Sequence, residues 1–218
     1  MPVSRALLIF SKTDKARFIG HLDLMRVFRR AVNRAGLPVA YSEGFNPHQK
    51  LSFAAPLALG AEGYNEAAEL ELDAADETTA ADIARKLNAA LPKGLFVHAA
   101  RWMGADEKSP AALVTASYYE ISIVNAAVLP ENISELLARG SIAVQKRTKN
   151  GVKDTDIRPD IISLDISGGT LHAVLSSGGQ RGLKPELLFS AMNAPCGRYA
   201  RINVFKTVNG ALLPLYNS

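Results

Sequence analysis

The order of apolar and polar residues along the chain predicts short strands that alternate with amphipathic helices. Residues 5–11 are an apolar run closed by charged residues, which is typical of a strand. Residues 20–35 carry apolar side chains three and four positions apart, which predicts a helix with one buried face. Its apolar stripe consists of Leu24, Val27, Phe28, Ala31 and Ala35, and its opposite side of Arg26, Arg29, Arg30 and Arg34.

The same patterns predict the elements of the rest of the chain. Glu and Leu alternate within residues 66–73, as in a strand that is wet on one face. A helix is predicted over 78–90, with Thr78 or Thr79 near its N-cap. Gly168-Gly169 indicates a tight hairpin. Further strands are predicted at 51–53, 95–102, 116–124, 141–148, 160–167, 170–176 and 201–208, with a short possible extension at 211–216, and helices at 131–138 and 185–193.

This order of elements is repeated along the chain. Residues 1–103 give β-α-β-β-α-β, and residues 114–208 give the same order with one extra strand. The order is that of the ferredoxin-like motif. We therefore predict an α+β protein of two tandem ferredoxin-like domains, at 1–107 with a basic helix and at 112–218 with a basic hairpin, joined by a turn-rich linker at 104–110.

The amino-acid composition excludes several classes of protein. Apolar residues make up 48% and charged residues 21% of the 218 residues, which excludes a disordered chain and a collagen-like repeat. Cys196 is the one cysteine, so no intrachain disulfide and no cysteine-based zinc or iron–sulfur site is expected. No apolar run approaches the ~20 residues of a membrane span. We expect a cytoplasmic protein without membrane attachment, metal or cofactor of its own.

Charge is distributed unevenly along the chain. Residues 1–50 hold nine Lys and Arg against three Asp and Glu, whereas residues 51–100 hold three against eight. This predicts a basic face and an acidic face, and basic faces attract phosphate. The alternative is that folding mixes the two runs into an even surface.

The arginines of the first helix are the first candidate site. Guanidinium groups match phosphate oxygens, and Arg26, Arg29, Arg30 and Arg34 are little opposed by acidic neighbours. They are predicted to contact a phosphate backbone. The alternative is a solvated helix face on which the arginine stems cover apolar edges.

Two residues at the start of this helix can carry acid–base chemistry. His21 can act as an acid or base and Asp23 can orient it. The alternative is that Asp23 interacts with the positive end of the helix dipole and that His21 packs or caps.

The segment at 41–50 is the next candidate. Its Tyr41 and Phe45 lie near Lys50, and aromatic side chains beside cations stack on unpaired bases. His48 meets His21 if this loop folds over the helix start. Alternatively, the segment is a turn whose two aromatic residues close the core.

A basic segment in the second half is the last candidate. Four cations, Lys146, Arg147, Lys149 and Lys153, are predicted to contact RNA from a hairpin. The alternatives are a solvated loop or, with the carboxylates of Asp154 and Asp156, a metal site.

Several of these segments resemble one known family. The matching segments are 17–26 (RFIGHLDLMR), Arg30-Ala31, 41–48 (YSEGFNPH), 51–53 (LSF), 147–151 (RTKNG) and 156–159 (DIRP). They resemble the radical-SAM-linked protein family, a domain of unknown function encoded beside or fused to radical SAM enzymes. One departure is Gly20, where the family has serine. The resemblance implies a radical SAM partner that carries the iron–sulfur chemistry, and a role in RNA or translation.

Three functions remain open from the sequence. The first is an RNA-binding accessory protein that presents tRNA or rRNA to a radical SAM partner. The second is an enzyme that acts on RNA directly, a metal-independent nuclease in which His21 and His48 do the chemistry. The third is a protein–protein adaptor whose acidic segment at 62–77 contacts a basic partner.

Overall fold

The computed structural model describes residues 3–73, 78–123, 133–148, 151–179 and 182–216, with the backbone alone at 147 and 148. The strands are β1 (Val3–Lys12), β2 (Leu51–Phe53), β3 (Glu62–Asp73), β4 (Leu95–Trp102), β5 (Ala116–Ser122), β6 (Ala143–Thr148), β7 (Gly151–Asp156), β8 (Ile161–Ser167), β9 (Thr170–Ser176), β10 (Tyr199–Val208) and β11 (Ala211–Pro214). The helices are α1 (His21–Arg34), α2 (Ala80–Ala90), α3 (Pro110–Leu113), α4 (Ile133–Ala138) and α5 (Pro185–Ala191), with 3-10 turns at Asp14–Phe18 and Arg158–Asp160.

Nine of these strands form one continuous sheet. Its order is β4-β1-β3-β10-β5-β9-β8, with β2 paired to β3 and β11 paired to β10, while β6 and β7 form a separate hairpin. The neighbours are antiparallel except for β3 and β10, which run parallel. The protein is therefore a mixed α+β protein built on a large, mostly antiparallel sheet, and the predicted α+β class is confirmed.

The parallel junction of β3 with β10 unites the two halves of the chain. Ala200 is in register with Glu62, and Arg201 with Gly63. A Cβ atom at Gly63 would lie 2.5 Å from the Glu66 carboxylate, so glycine leaves room for that side chain. Glu66 accepts hydrogen bonds from the Arg201 guanidinium at 2.9 and 2.5 Å.

Two separate hydrophobic clusters lie in the two halves, and a third connects them. In the first half, the Phe10, Phe28 and Phe53 rings meet with centroids 4.9 to 5.5 Å apart. The third cluster contains Leu7 of β1 together with Val204 of β10. Apolar packing therefore accompanies the continuous sheet across the junction, and the domain division at 107–112 remains a prediction.

The predicted helices and hairpin are largely confirmed. The stripe of α1 is buried or packs against the first cluster, as periodicity predicts. Thr79 caps α2 in a capping box with Asp82, and the hairpin between β8 and β9 turns at Gly168-Gly169. Part of the predicted helix 131–138 lies outside the described residues, since 124–132 are not described.

Two elements differ from the sequence prediction. The predicted linker at 104–110 ends where α3, a helix that was not predicted, begins: Pro110 occupies the first turn, where the missing N–H is tolerated. Residues 151–156, which are not among the predicted strands, form β7, and their side chains are mostly exposed. An exposed hairpin strand shows no alternation of apolar residues, so the usual strand signal is missing.

Candidate nucleic-acid interface

The outer face of α1 presents arginines that the sheet does not cover. Arg26 and Arg30 are exposed, and Leu22, one turn before Arg26, is 71% exposed. Arg26 donates a 2.7 Å hydrogen bond to Asp23 on the same helix. Because both side chains are solvated, this pair holds Arg26 only weakly. Arg26 and Arg30 therefore remain accessible to an anion.

The other two predicted arginines of α1 are partly engaged by the fold. Arg34 donates a 2.7 Å hydrogen bond to the Ala90 carbonyl at the end of α2, where the last carbonyls of a helix need partners. Arg34 therefore connects α1 to α2. This structural role was not part of the prediction, which gave Arg34 a phosphate contact only. Arg29 is half-buried, and within the described residues its Nε atom has no hydrogen-bond partner.

The loop at 41–49 projects from the C-terminal half of α1. Its base is closed by a bridge between Tyr41 and Gln49. The buried Gln49 amide donates a 2.5 Å hydrogen bond to Asn33 of α1. Phe45, at the tip, is fully exposed, and Tyr41 is 50% exposed. The interpretation that these two aromatic residues close the core is therefore wrong, because both rings face solvent.

The two candidate histidines are not brought together. The His21 ring packs against Phe53 with centroids 5.9 Å apart, whereas His48 Nδ1 lies 2.8 Å from the Ser42 hydroxyl. The loop of His48 is anchored at Asn33, twelve residues and about 18 Å along α1 from His21. A two-histidine site of the kind considered from the sequence is therefore not formed here.

The acidic strand β3 pairs with basic residues of this same chain. Lys50 lies 2.9 Å from Glu71, and the Glu71 hydrogen bond, followed by its charge, raises the pKa of Lys50. Arg5 lies 2.6 Å from Glu69. Folding thus mixes much of the basic and acidic runs, as the alternative held. Lys50 in particular has a carboxylate partner, so its predicted nucleic-acid contact competes with an ion pair.

The β6–β7 hairpin concentrates positive charge in the second half. Lys146 stands directly opposite Lys153, and like charges opposite one another destabilise a pair of strands. An anion bound between them would relieve that repulsion. Lys149 lies outside the described residues, and the Arg147 side chain is likewise not described.

Sequence inspection missed a buried charged cluster beside α1. Lys12, Glu66 and Arg201 are 1%, 4% and 2% exposed. Burial, only partly offset by Glu66, lowers the pKa of Lys12. Burial also acts to lower the pKa of Arg201, but the Glu66 carboxylate outweighs it and raises that pKa. Charged residues within otherwise apolar strands are the signal that points to such a cluster.

A second missed group lies on the sheet face opposite the helices. The Tyr118 hydroxyl donates to Glu120 at 3.0 Å and lies 2.8 Å from His172 Nδ1. Since the hydroxyl proton points to Glu120, the oxygen accepts from Nδ1, and His172 Nε2 is left to accept from Ser167 at 2.8 Å. Burial, then the bond to Glu120, raises the pKa of Tyr118. These bonds tie β5, β8 and β9 together.

Other kinds of site find little support in the described part of the chain. There, no group of three or more His, Cys, Asp and Glu side chains is placed to hold a metal ion. Burial, then the Glu186 charge, raises the pKa of the Cys196 thiol to about 12, so that thiol is a poor nucleophile. None of the helices described is long and apolar enough to cross a membrane.

Comparison with known proteins supplies a family but no activity. Residues 5–185 match the model of a family, DUF2344, described as an uncharacterized protein conserved in bacteria. No curated protein matches the chain significantly. The match spans all the segments on which the resemblance was based, and the expectation of an uncharacterised family is confirmed. Its description names no radical SAM enzyme, so that association remains a prediction.

Proposed function

The chain belongs to the DUF2344 family, whose description names no activity, and we propose from the geometry of the chain that it binds RNA. The binding surface, the α1–loop surface, is formed by Leu22, Arg26 and Arg30 on α1 and by the loop at 41–49. The observation that carries this proposal is the fully exposed Phe45 ring, at the tip of a loop whose base is anchored to the arginine-bearing helix α1 through Gln49 and Asn33.

The anchor of the loop explains how one RNA segment contacts both parts. Asn33, which binds Gln49, lies one turn beyond Arg30 on α1, and residues three apart on a helix are neighbours. Arginines contact phosphates without regard to sequence, whereas an exposed aromatic ring stacks on an unpaired base. This combination favours single-stranded segments of tRNA or rRNA as the ligand.

Binding to an RNA segment with an unpaired loop tests the proposal. We expect the double variant R26E/R30E to weaken binding by at least about tenfold. Because two phosphate contacts are lost, the slope of log K against log salt concentration should also become shallower by about 1.4. A matched control, K108E/R139E, makes the same charge change at exposed residues elsewhere. Equal affinity and slope for both variants would reject this surface.

The stacking role is tested separately from charge. The variant F45A removes an exposed ring and leaves the folded core intact, so we expect weaker RNA binding with an unchanged salt slope. Unchanged affinity of F45A would remove the aromatic contact from the proposal.

The role as an accessory to a radical SAM enzyme is part of the same proposal. It is supported by the resemblance of the segments at 17–26 and 41–48, and this chain would contribute no cofactor of its own. Isolation of the tagged protein from bacteria, with and without ribonuclease, tests it. Recovery of a radical SAM enzyme together with RNA supports the accessory role. Recovery of that enzyme after ribonuclease, with no RNA bound in either sample, would favour the adaptor. The setting we propose is the cytoplasm.

We also propose that each half is a ferredoxin-like unit. The strand order β4-β1-β3-β2 in the first half and β10-β5-β9-β8 in the second supports this, because both correspond to the order 4-1-3-2 by position in each half. The β6–β7 hairpin is then an insertion between α4 and β8.

A further inference from the structure

A groove lies where the two halves of the chain meet. Two adjoining cavities, of ≈ 520 and ≈ 490 Å³, share Arg17, Glu62 and Arg198 in their walls. Cavities of several hundred Å³ are typical of small-ligand sites. Glu62 begins β3 and Arg198 precedes β10, so the groove lies beside the parallel junction of those strands. We call it the junction groove.

Four cations from three segments line the junction groove: Lys15 and Arg17 of one 3-10 turn, Lys93 and Arg198. Arg17 lies 3.7 Å from Glu62. The other three have no carboxylate within ion-pair distance among the described residues. Glu62 is engaged in turn by the Asp14 amide, which donates to it at 3.1 Å, and by the Tyr64 hydroxyl. Asp14 and Glu120 also line the groove, but neither is within ion-pair distance of Lys15, Lys93 or Arg198, so these three cations can bind an anion.

Backbone hydrogen bonds fix the segments that carry these cations. The Thr13 N–H donates to the Gly94 carbonyl at 2.8 Å, and the Gly60 N–H donates to the Arg17 carbonyl at 2.9 Å. Asp14 has a φ of 52°, which places its backbone in the left-handed conformation that residues other than glycine rarely adopt. Gly94 has a positive φ, and a Cβ there would lie 2.6 Å from the Thr13 carbonyl. Such strain clusters at binding sites, and the groove is shaped before any ligand arrives.

An aromatic ring stands at the edge of the groove beside these cations. Phe18 is 61% exposed and lies in the wall of the smaller cavity. The Arg17 guanidinium lies 4.6 Å from its ring centroid. Phe18 leads into α1, where Leu22 and Arg26 follow. The junction groove therefore ends close to the start of α1, the helix that carries part of the α1–loop surface.

We propose that the junction groove binds one nucleoside phosphate, with the phosphate at Arg198 and Lys93 and the base against Phe18. This inference rests on the proposed function insofar as the nucleotide belongs to an RNA chain that continues along α1. A free nucleotide presents the same chemistry. Lys and Arg supply charge-assisted hydrogen bonds to phosphate oxygens, and Phe18 supplies a stacking surface that tolerates any base.

Parallel titrations with a fluorescent single-stranded RNA 12-mer and with AMP test this site. We expect R198E and K93E each to weaken RNA binding roughly tenfold and to reduce the salt slope by about 0.7. F18A should weaken binding without changing that slope. The control K108E reverses one exposed charge elsewhere and should bind nearly as the unaltered protein does. Arg198, Lys93 and Phe18 are exposed, and unfolding in urea establishes that each variant is folded.

The outcomes separate this inference from the proposed function. If R26E/R30E weakens RNA binding but R198E binds RNA as tightly as K108E does, the proposal for the junction groove is overturned. The proposal for the α1–loop surface is then retained. Binding of AMP but not RNA, lost in R198E, would support the groove as a nucleotide site and reject the RNA function. Binding of neither ligand would overturn both.

Discussion

Two ion pairs of this protein use the same chemistry at opposite extremes of exposure. At the junction of the two halves, the Arg201 and Glu66 side chains are 2% and 5% exposed. On α1, the Arg26 and Asp23 side chains are 68% and 64% exposed. A buried carboxylate cannot lose its cationic partner without a large penalty, whereas water replaces a lost surface partner. The first pair maintains the fold and the second leaves its arginine available.

This contrast extends along strand β3. Its carboxylates meet Arg5 at Glu69 and Lys50 at Glu71, with exposures that rise from the first pair to the second. Strand β3 therefore neutralises part of the positive charge of the first fifty residues inside or beside the sheet. The charge excess suggested by the sequence survives at Arg26 and Arg30, which face solvent. The cations on α1 that we propose to bind RNA are those that β3 does not reach.

The largest expected effect comes from breaking the buried pair. The variant E66Q leaves Arg201 and Lys12 buried without a carboxylate, and we expect a loss of about 3–5 kcal/mol in the free energy of unfolding. Urea unfolding measures it. A paired replacement, E66M with R201M, removes both charges of the pair and should recover part of the loss. A loss below about 1 kcal/mol in E66Q would show that this pair resembles the surface pair.

A smaller effect is expected at the anchor of the 41–49 loop. Q49A removes the hydrogen bond to Asn33 and should reduce the free energy of unfolding by about 1 kcal/mol. It should also weaken RNA binding, because the loop that carries Phe45 is no longer anchored to α1 at Asn33. N46A, in the exposed part of the same loop, should change stability by less than about 0.5 kcal/mol. Equal RNA affinity of Q49A and N46A would contradict a positioning role for the anchor.

A pH titration distinguishes two kinds of exposed helix pair. Asp82 pairs with Arg85 three residues on, as Asp23 does with Arg26, but also bonds Thr79 at the N-cap. The Arg85 hydrogen bond, followed by those from Thr79, lowers the pKa of Asp82 to about 2. A lowered folded-state pKa stabilises the fold above the unfolded-state value of 3.8, and this stabilisation is lost as pH falls through about 2. D82N should therefore flatten the pH dependence of unfolding between pH 4 and 2, and an unchanged profile would exclude the contribution of this cap.

The smallest expected effect concerns the surface pair itself. D23N should change the free energy of unfolding by about 0–1 kcal/mol. It should strengthen RNA binding slightly, because a carboxylate beside Arg26 no longer repels phosphate. Urea unfolding and RNA titration of the same preparation measure both. If D23N lost more stability than Q49A does, the Arg26–Asp23 pair would not be the weak surface pair that we contrast with the buried Arg201–Glu66 pair.

Periodicity predicted those parts of this molecule in which neighbouring residues decide the structure. Helix α1 follows from the spacing of Leu24, Phe28 and Ala31, and the turn of the β8–β9 hairpin follows from Gly168-Gly169. The Arg201–Glu66 pair joins residues 135 positions apart, and no local pattern encodes such a contact. The roles of Arg34 and Lys50 were missed for the same reason, since their partners, Ala90 and Glu71, lie far along the chain.

The β3–β10 junction has a consequence for the order in which the chain is made. Glu66 leaves the ribosome 135 residues before Arg201, which corresponds to roughly 7–27 s at 5–20 residues per second. During that interval the Glu66 carboxylate has no Arg201 to pair with, and the beginning of β3 has no β10 beside it. An uncovered strand edge invites pairing with other chains. The beginning of β3 is therefore an edge at which the nascent protein is open to pairing with other chains until β10 emerges.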